Sequence, residues 1–262
     1  MRYGKPKYIN WLIKNDGEFK LSTDETVSVY SINHEHDEEI LDEWGKHISQ
    51  HYIRNDQAEQ RASKLKLSKY DYMFKFWLDL AGKDISGNFA EIVFSDYLEY
   101  VLNFEVPRYK LFNNYPGNPQ QGIDLVGFKF FNTDKTYSPK DAVNFMEVKA
   151  VLSKTDYKTI TNSIDDINKR TDVHYALILE NAHEKLRSFG CFDEVALIER
   201  FQDSEKQCVK IKSSGALTIS SANFENDILG LSVTDGKNIS IHLIHGVDLL
   251  DLAKDLYRRA CK

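Results

Sequence analysis

Gly122-Ile123-Asp124-Leu125-Val126-Gly127-Phe128 and Ala142-Val143-Asn144-Phe145-Met146-Glu147-Val148-Lys149-Ala150-Val151-Leu152 are two apolar runs, each interrupted by charge. Both read as buried strands. Asp124 stands at the start of the first, and Glu147 follows it by 23 residues inside the second. Side chains alternate faces along a strand, so Glu147 and Lys149 share one face and the Val148 side chain takes the other. A carboxylate and an amine thus come within reach of one metal-bound water, with Asp124 as a second carboxylate at an adjacent strand end. Metal-dependent phosphodiester cleavage requires this grouping of divalent ion, water and general base.

Acid-x-Lys triplets begin at four places, Glu18, Glu147, Asp156 and Asp235, and their surroundings separate them. Glu18 and Asp235 lie beside the turn-like Asn15-Asp16-Gly17 and Asp235-Gly236, and Asp156 follows Ser153-Lys154-Thr155, where a helix is expected to start. Only Glu147 and Lys149 are embedded in a hydrophobic strand, where burying two charges costs roughly several kcal/mol unless something compensates. The structural alternative is a buried ion pair, or a strand end fraying into solvent.

Upstream, Ser86-Gly87-Asn88-Phe89-Ala90-Glu91 opens a helix expected to reach about Asn103, with Asp84 and Ser86 as candidate caps. Its apolar residues Phe89, Ile92, Val93, Phe94, Tyr97, Leu98, Val101 and Leu102 occupy more than one side, which predicts a buried helix. Glu91 heads the largely apolar line Phe94, Leu98, Leu102. It is either a partner of the helix's first turn or a metal-site ligand held against the sheet.

The order is a helix with Glu91, then Val106-Pro107-Arg108-Tyr109 and a Pro/Gly/Asn turn, then Asp124, Glu147-x-Lys149, a helix and another strand. It resembles the PD-(D/E)XK nuclease superfamily, whose core is a mixed sheet flanked by helices. The helix after the motif is expected over Thr155 to Lys169 and the last core strand over His174 to Leu179. The resemblance implies that Asp124, Glu147 and the Val148 carbonyl ligate Mg²⁺ (or Mn²⁺). It also implies that Lys149 positions and activates the water and that Glu91 supports the metal shell. One departure is that Gly122-Ile123, and no proline, precedes Asp124.

A narrower likeness extends over residues 25 to 180. His36-Asp37-Glu38-Glu39-Ile40-Leu41-Asp42-Glu43-Trp44, His51-Tyr52-Ile53, Gly87-Asn88-Phe89-Ala90-Glu91-Ile92, Val106-Pro107-Arg108 and Gly127-Phe128-Lys129-Phe130 resemble the HamA family. Those proteins are nuclease subunits of the bacterial Hachiman anti-phage system. The resemblance implies DNA as substrate, a superfamily 2 helicase of the HamB type as partner, and a nuclease restrained until DNA is sensed. The other readings are a non-catalytic DNA-binding or scaffolding subunit that keeps the nuclease fold, a free-standing restriction-type endonuclease, and an RNA-cutting toxin. The full set of Glu91, Asp124, Glu147 and Lys149 disfavours the first of these, because a degenerate site is expected to have lost a member.

At 262 residues and 30.3 kDa, with 42% hydrophobic and 28% charged residues, the chain can bury a sizeable core. It has no run of 18 apolar residues, and Met1 to Lys7 lacks the apolar stretch of a signal peptide, so a cytoplasmic protein is expected. Three widely spaced cysteines, Cys191, Cys208 and Cys261, argue against a disulfide framework. A net charge of -6 and a pI of about 5.8 oppose a free-standing nucleic-acid binder, since phosphate contacts supply most non-specific affinity. Basic residues cluster at Lys64, Lys66, Lys69 and Lys75 among Tyr70, Tyr72, Phe74 and Phe76, at Lys169-Arg170 and at Arg258-Arg259. Each reads first as a solvated helix face. The acidic stretch from His36 to Glu43 would repel phosphate and is expected to face a partner or solvent, as is the segment beyond Gly190.

Residues 1 to about 80 read as an N-terminal mixed α/β segment, with a strand over Thr26 to Ile32 and helices over Asp37 to His51 and Gln57 to Leu80. Ala81-Gly82-Lys83 is the expected junction to a nuclease core that, with a C-terminal extension, occupies 81 to 262. The extension reads as a helix over Phe192 to Phe201, short strands near Val209 to Ile211 and Ile239 to Ile244, and a closing helix over Val247 to Ala260. His34-x-His36 and His47-x3-His51 have spacings that zinc could use. No cysteine or inward carboxylate completes either set nearby in sequence, and His47 and His51 are expected on a surface helix. A Gly-rich phosphate loop is absent, so any ATP-driven work falls to a partner.

Overall fold

The computed structural model describes residues 4–53, 55–78, 85–108, 122–203, 205–236 and 238–261. Its frame is one mixed seven-stranded sheet: β1 (Leu12–Lys14), β2 (Phe19–Lys20), β3 (Thr26–Ile32), β4 (Leu125–Lys129), β5 (Ala142–Val151), β6 (Val209–Ile219) and β7 (Ile239–Gly246). The spatial order is β1-β3-β7-β6-β5-β4, with β2 also on β3. β3, β7, β6 and β5 run parallel, while β1, β2 and β4 are antiparallel edges. The parallel strands carry apolar side chains on both faces, as sheets covered by helices on both sides do.

Helices α1 (Glu38–Tyr52), α4 (Ile85–Asp96) and α9 (Leu249–Ala260) share one core with Met146, Val148, Leu217 and Ile244 of the sheet. α1 starts at Asp37, whose carboxylate accepts from Ile40 N at 3.1 Å, and lies along α9. α4 passes directly into a π-helical turn, Tyr97–Val101. On the opposite face, α5 (Lys158–Asn168) and α8 (Phe224–Leu229) cover Val27, Val29, Ala216, Ile241 and Leu243. α6 (Asp172–Ser188) and α7 (Phe192–Gln202) cover Val126, Phe128, Val143 and Phe145. Gly215 of β6 lets α4 approach the sheet: a Cβ there would stand 3.1 Å from the Phe94 ring.

Several expected elements are present, among them β3, α1, the buried Glu91 helix, β4, β5, the helix after the motif, α7, β7 and the closing helix, which begins at Leu249. Two differ. The stretch His174 to Leu179, expected as the last core strand, is inside α6. The Thr171 hydroxyl and the His174 ring form a capping box, and Tyr175, Ile178, Leu179, Ala182 and Leu186 make one buried helical stripe. The parallel strand that follows β5 and α5 is instead β6, longer than the short strand expected at Val209 to Ile211. The single helix expected over Gln57 to Leu80 is also broken. α2 (Asn55–Lys64) ends, Lys66 adopts φ 56°, and α3 (Lys69–Met73) restarts from the Ser68 cap before a π-helical turn, Phe74–Leu78.

The junction at Ala81-Gly82-Lys83, the candidate cap Asp84 and the turn after Arg108 lie outside the described residues. β3 near the N-terminus and β7 near the C-terminus pair directly, so both ends of the chain contribute to one sheet. Ser86 is the second residue of its helix. The acidic stretch is engaged within the chain. Lys7 contacts Glu39 and Glu43, and Arg259 Nη1 reaches Glu38 at 2.8 Å and Asp42 at 2.7 Å. All three cysteines are free thiols. Among the described residues no helix is long and apolar enough to cross a membrane.

Candidate active site

β4 pairs with β5 from Leu125↔Met146 to Lys129↔Ala142, so the residue before β4 comes level with Glu147. That residue is Asp124. Its Oδ2 accepts a hydrogen bond from Val148 N at 2.7 Å, replacing the backbone partner β4 would have supplied had it continued. N–H and C=O of one strand residue point to the same edge. The Val148 carbonyl therefore faces the same side as the Asp124 carboxylate.

Glu147 and Lys149 emerge on the face covered by α5, as strand alternation requires. The Lys149 ammonium lies 3.2 Å from Glu147 Oε1 and 2.8 Å from Asp166 Oδ2. Asp166, near the end of α5, also holds Lys169 at 2.6 Å. Arg170 donates to the Gly122 carbonyl at 3.2 Å and faces Glu147 Oε2 at 3.8 Å. Glu147 is 4% exposed, and its Oε2 is buried with no hydrogen-bond donor among the described residues.

Burial, and then the neighbouring Asp124 charge, push the Glu147 carboxyl above its ordinary pKa, against the opposing pull of Lys149 and Arg170. Burial pulls the Lys149 ammonium down, but the Asp166 and Glu147 carboxylates outweigh it and the net shift is upward. Asp166 is disfavoured by burial and held low overall by Lys149 and Lys169. The site is thus a repelling carboxylate pair beside a firmly protonated lysine.

Those features test whether a divalent ion suits these residues, and it does. Two carboxylates and a backbone carbonyl are hard oxygen donors of the kind Mg²⁺ and Mn²⁺ prefer. The bare Glu147 Oε2 and the Asp124 repulsion are the deficits that a cation would remove.

Asp124, Glu147 and Lys149 are brought together. Glu91 is placed differently: α4 packs on the sheet face of Met146 and Val148, opposite to the face from which Glu147 and Lys149 emerge. With Asp124 and Glu147 it does not form one of the groups of three ligand atoms within 4.8 Å of one another. Asp166 and Arg170 were not among the expected site residues. Their only sequence signal is a four-residue spacing at the end of the helix after the motif.

His47 and His51, expected on a surface helix, are buried at 6% and 3% exposure, and Asp96 of α4 reaches both. Position on α1 explains the correction, because both histidines lie on the side turned toward α4. The aromatic and basic cluster is divided: Tyr70, Phe74 and Phe76 are exposed, with the Tyr70 and Phe74 rings stacked 6.2 Å apart, whereas Tyr72 is buried.

A family model described as HamA matches residues 6–260. No curated protein matches the chain.

Proposed function

Because the chain belongs to the HamA family, we propose that it is the nuclease subunit of a Hachiman-type anti-phage defence complex, a metal-dependent deoxyribonuclease with a PD-(D/E)XK core. The observation that carries this reading is the buried, donor-less Glu147 Oε2 beside Asp124, with Lys149 clamped alongside. The order of α4, the Glu105↔Phe128 bridge, β4, β5, α5 and the parallel strand β6 supports the core assignment.

In this proposal Asp124, Glu147 and the Val148 carbonyl would hold Mg²⁺ or Mn²⁺, and Glu91, on the helix across the sheet, is given no part in holding it. The ion supplies charge for the phosphate and lowers the pKa of water. Lys149, kept protonated by Asp166 and Glu147, acts as a hydrogen-bond donor that orients the attacking water and balances charge building on the phosphate. The water oxygen bonds to phosphorus as the P–O bond to the leaving strand breaks, and the departing oxygen ends protonated.

DNA and a HamB-like superfamily 2 helicase are the proposed partners. With a net charge of -6 the chain attracts a polyanion poorly, and a helicase gripping the nucleic acid would hold this subunit nearby at high effective concentration. The test is incubation of the purified chain, with and without its helicase partner, on defined DNA and RNA in Mg²⁺. DNA cleavage that chelator stops and that Glu147→Ala and Lys149→Ala abolish is expected. Cleavage unaffected by EDTA, or intact in both variants, would end the reading.

A further inference from the structure

A second cluster of potential metal ligands lies away from Asp124 and Glu147. His47 and His51 project from successive turns of α1 and meet Asp96, the last residue of α4. His47 Nε2 is 2.8 and 2.9 Å from the two Asp96 oxygens, His51 Nε2 is 3.6 Å from Asp96 Oδ1, and the two Nε2 atoms are 3.3 Å apart. Zinc bound tetrahedrally to imidazole at about 2.0–2.1 Å places neighbouring donor atoms about 3.3 Å apart. The histidine pair has that separation.

Both ring nitrogens and the carboxylate converge on one point. A cation at the centre would engage all three.

The surroundings are arranged as they are around metal ligands. The Tyr8 hydroxyl donates to Asp96 Oδ2, and Arg108 Nη2 donates to Asp96 Oδ1 at 2.9 Å, which fixes the carboxylate's orientation. Arg108 also binds Glu99 Oε2 at 2.9 Å. Two buried carboxylates therefore face one guanidinium. The helix changes register immediately after Asp96, in the π-helical turn Tyr97–Val101, a distortion common at functional positions.

We propose that His47, His51 and Asp96 form a zinc site that ties α1 to α4. Two imidazoles and one carboxylate suit zinc better than Mg²⁺, which separates this site from the one at Glu147. At 0–6% exposure the three ligands are closed to substrate, so the ion's role would be structural. It would brace the helix that carries Glu91.

The experiment uses the full chain. Protein stripped with chelator, exposed to excess Zn²⁺ and passed through gel filtration is assayed for metal by mass spectrometry, and its zinc absorption-edge spectrum is recorded. About one zinc per chain with two imidazole ligands is expected, with a raised melting temperature. His51→Gln should weaken zinc binding at least tenfold, whereas Glu147→Gln should keep it. A His183→Ala control addresses the exposed Glu180, His183 and Glu184 cluster, which also groups ligand atoms. Loss of the zinc in that variant, or wild-type protein that retains no zinc, overturns the proposal. The wild-type measurement stands even if a ligand variant fails to fold.

Discussion

Replacing Glu147 by glutamine separates a residue kept for stability from one kept for binding a cation. The side chain keeps its shape and loses its charge. That charge gains from Lys149 at 3.2 Å and distantly from Arg170 at 3.8 Å, and suffers from burial and from Asp124. The upward pKa shift gives the balance: the folded site disfavours ionised Glu147 more than the unfolded chain does. A partly exposed Lys149 contributes only about 0–1 kcal/mol in such a pair. At neutral pH and without divalent ions, Glu147→Gln should therefore be more stable than wild type by about 1 kcal/mol. In a chain of this size that is roughly 2–4 °C in Tm.

The sign has a pH signature. Below the usual carboxylate range Glu147 is protonated in both states, and the two proteins should melt alike. As pH rises through the folded pKa the wild type loses stability and the gap opens. Mg²⁺ should close and reverse it, because an ion at a hundred times its Kd adds about 2.7 kcal/mol to the protein that binds it. Thermal melts in EDTA and across a Mg²⁺ series measure both effects. A variant that melts below wild type in EDTA, or equal Mg²⁺ stabilisation of the two proteins, would refute the reasoning.

Four further outcomes are expected. Asp166→Asn removes the 2.8 Å partner of Lys149 and should slow cleavage by about 10–100-fold with the fold intact; single-turnover rates unchanged from wild type would exclude Asp166 from positioning the lysine. Gly45→Ala would place a Cβ 2.5 Å from Arg259 Cβ and 3.0 Å from its carbonyl carbon, forcing α1 from α9 at about 1–3 kcal/mol, which a lowered urea midpoint would register. Burial pushes the His242 imidazole down to about 4 from 6.5, so the unfolded chain binds a proton that the folded one refuses. Stability should fall as pH drops from 6.5 to 4, by up to about 3 kcal/mol, and His242→Asn should flatten that slope in urea titrations; a slope unchanged in the variant would exclude His242 as its source. The isolated chain should bind duplex DNA weakly at physiological salt, and tight salt-resistant binding without a partner would overturn the argument from charge.

The strands were legible where one period governs a short window. β3 alternates, and β5 carries its acid and lysine two residues apart among apolar neighbours, which fixes their common face without tertiary information. α6 departs from its expected strand for the complementary reason. Over His174 to Leu179 the apolar run is dense in both periods, and only extension to Ala182 and Leu186 resolves a helix. β6 runs well past Ile211 because it continues through Ser213, Ser214 and Gly215, residue types that ordinarily favour turns. Each is buried for a tertiary reason or beside one: Ser214 bonds Ser163 of α5, and Gly215 makes room for Phe94.

The site divides along the same line. Asp124, Glu147 and Lys149 follow from strand register, whereas Asp166 and Arg170 reach them only because α5 returns across β5, which no local pattern encodes. The histidines of α1 are the instructive case. Trp44, His47, Ile48 and His51 recur at i, i+3, i+4 and i+7, the spacing of a buried stripe, so their burial was readable. The expectation of a surface helix overlooks that stripe; a buried imidazole needs a polar partner, and none lies nearby in sequence. The partner is Asp96, 49 positions from His47 and across a helix interface. A polar residue on an apolar stripe thus asks for a partner from another element, and here that partner completes a third ligand.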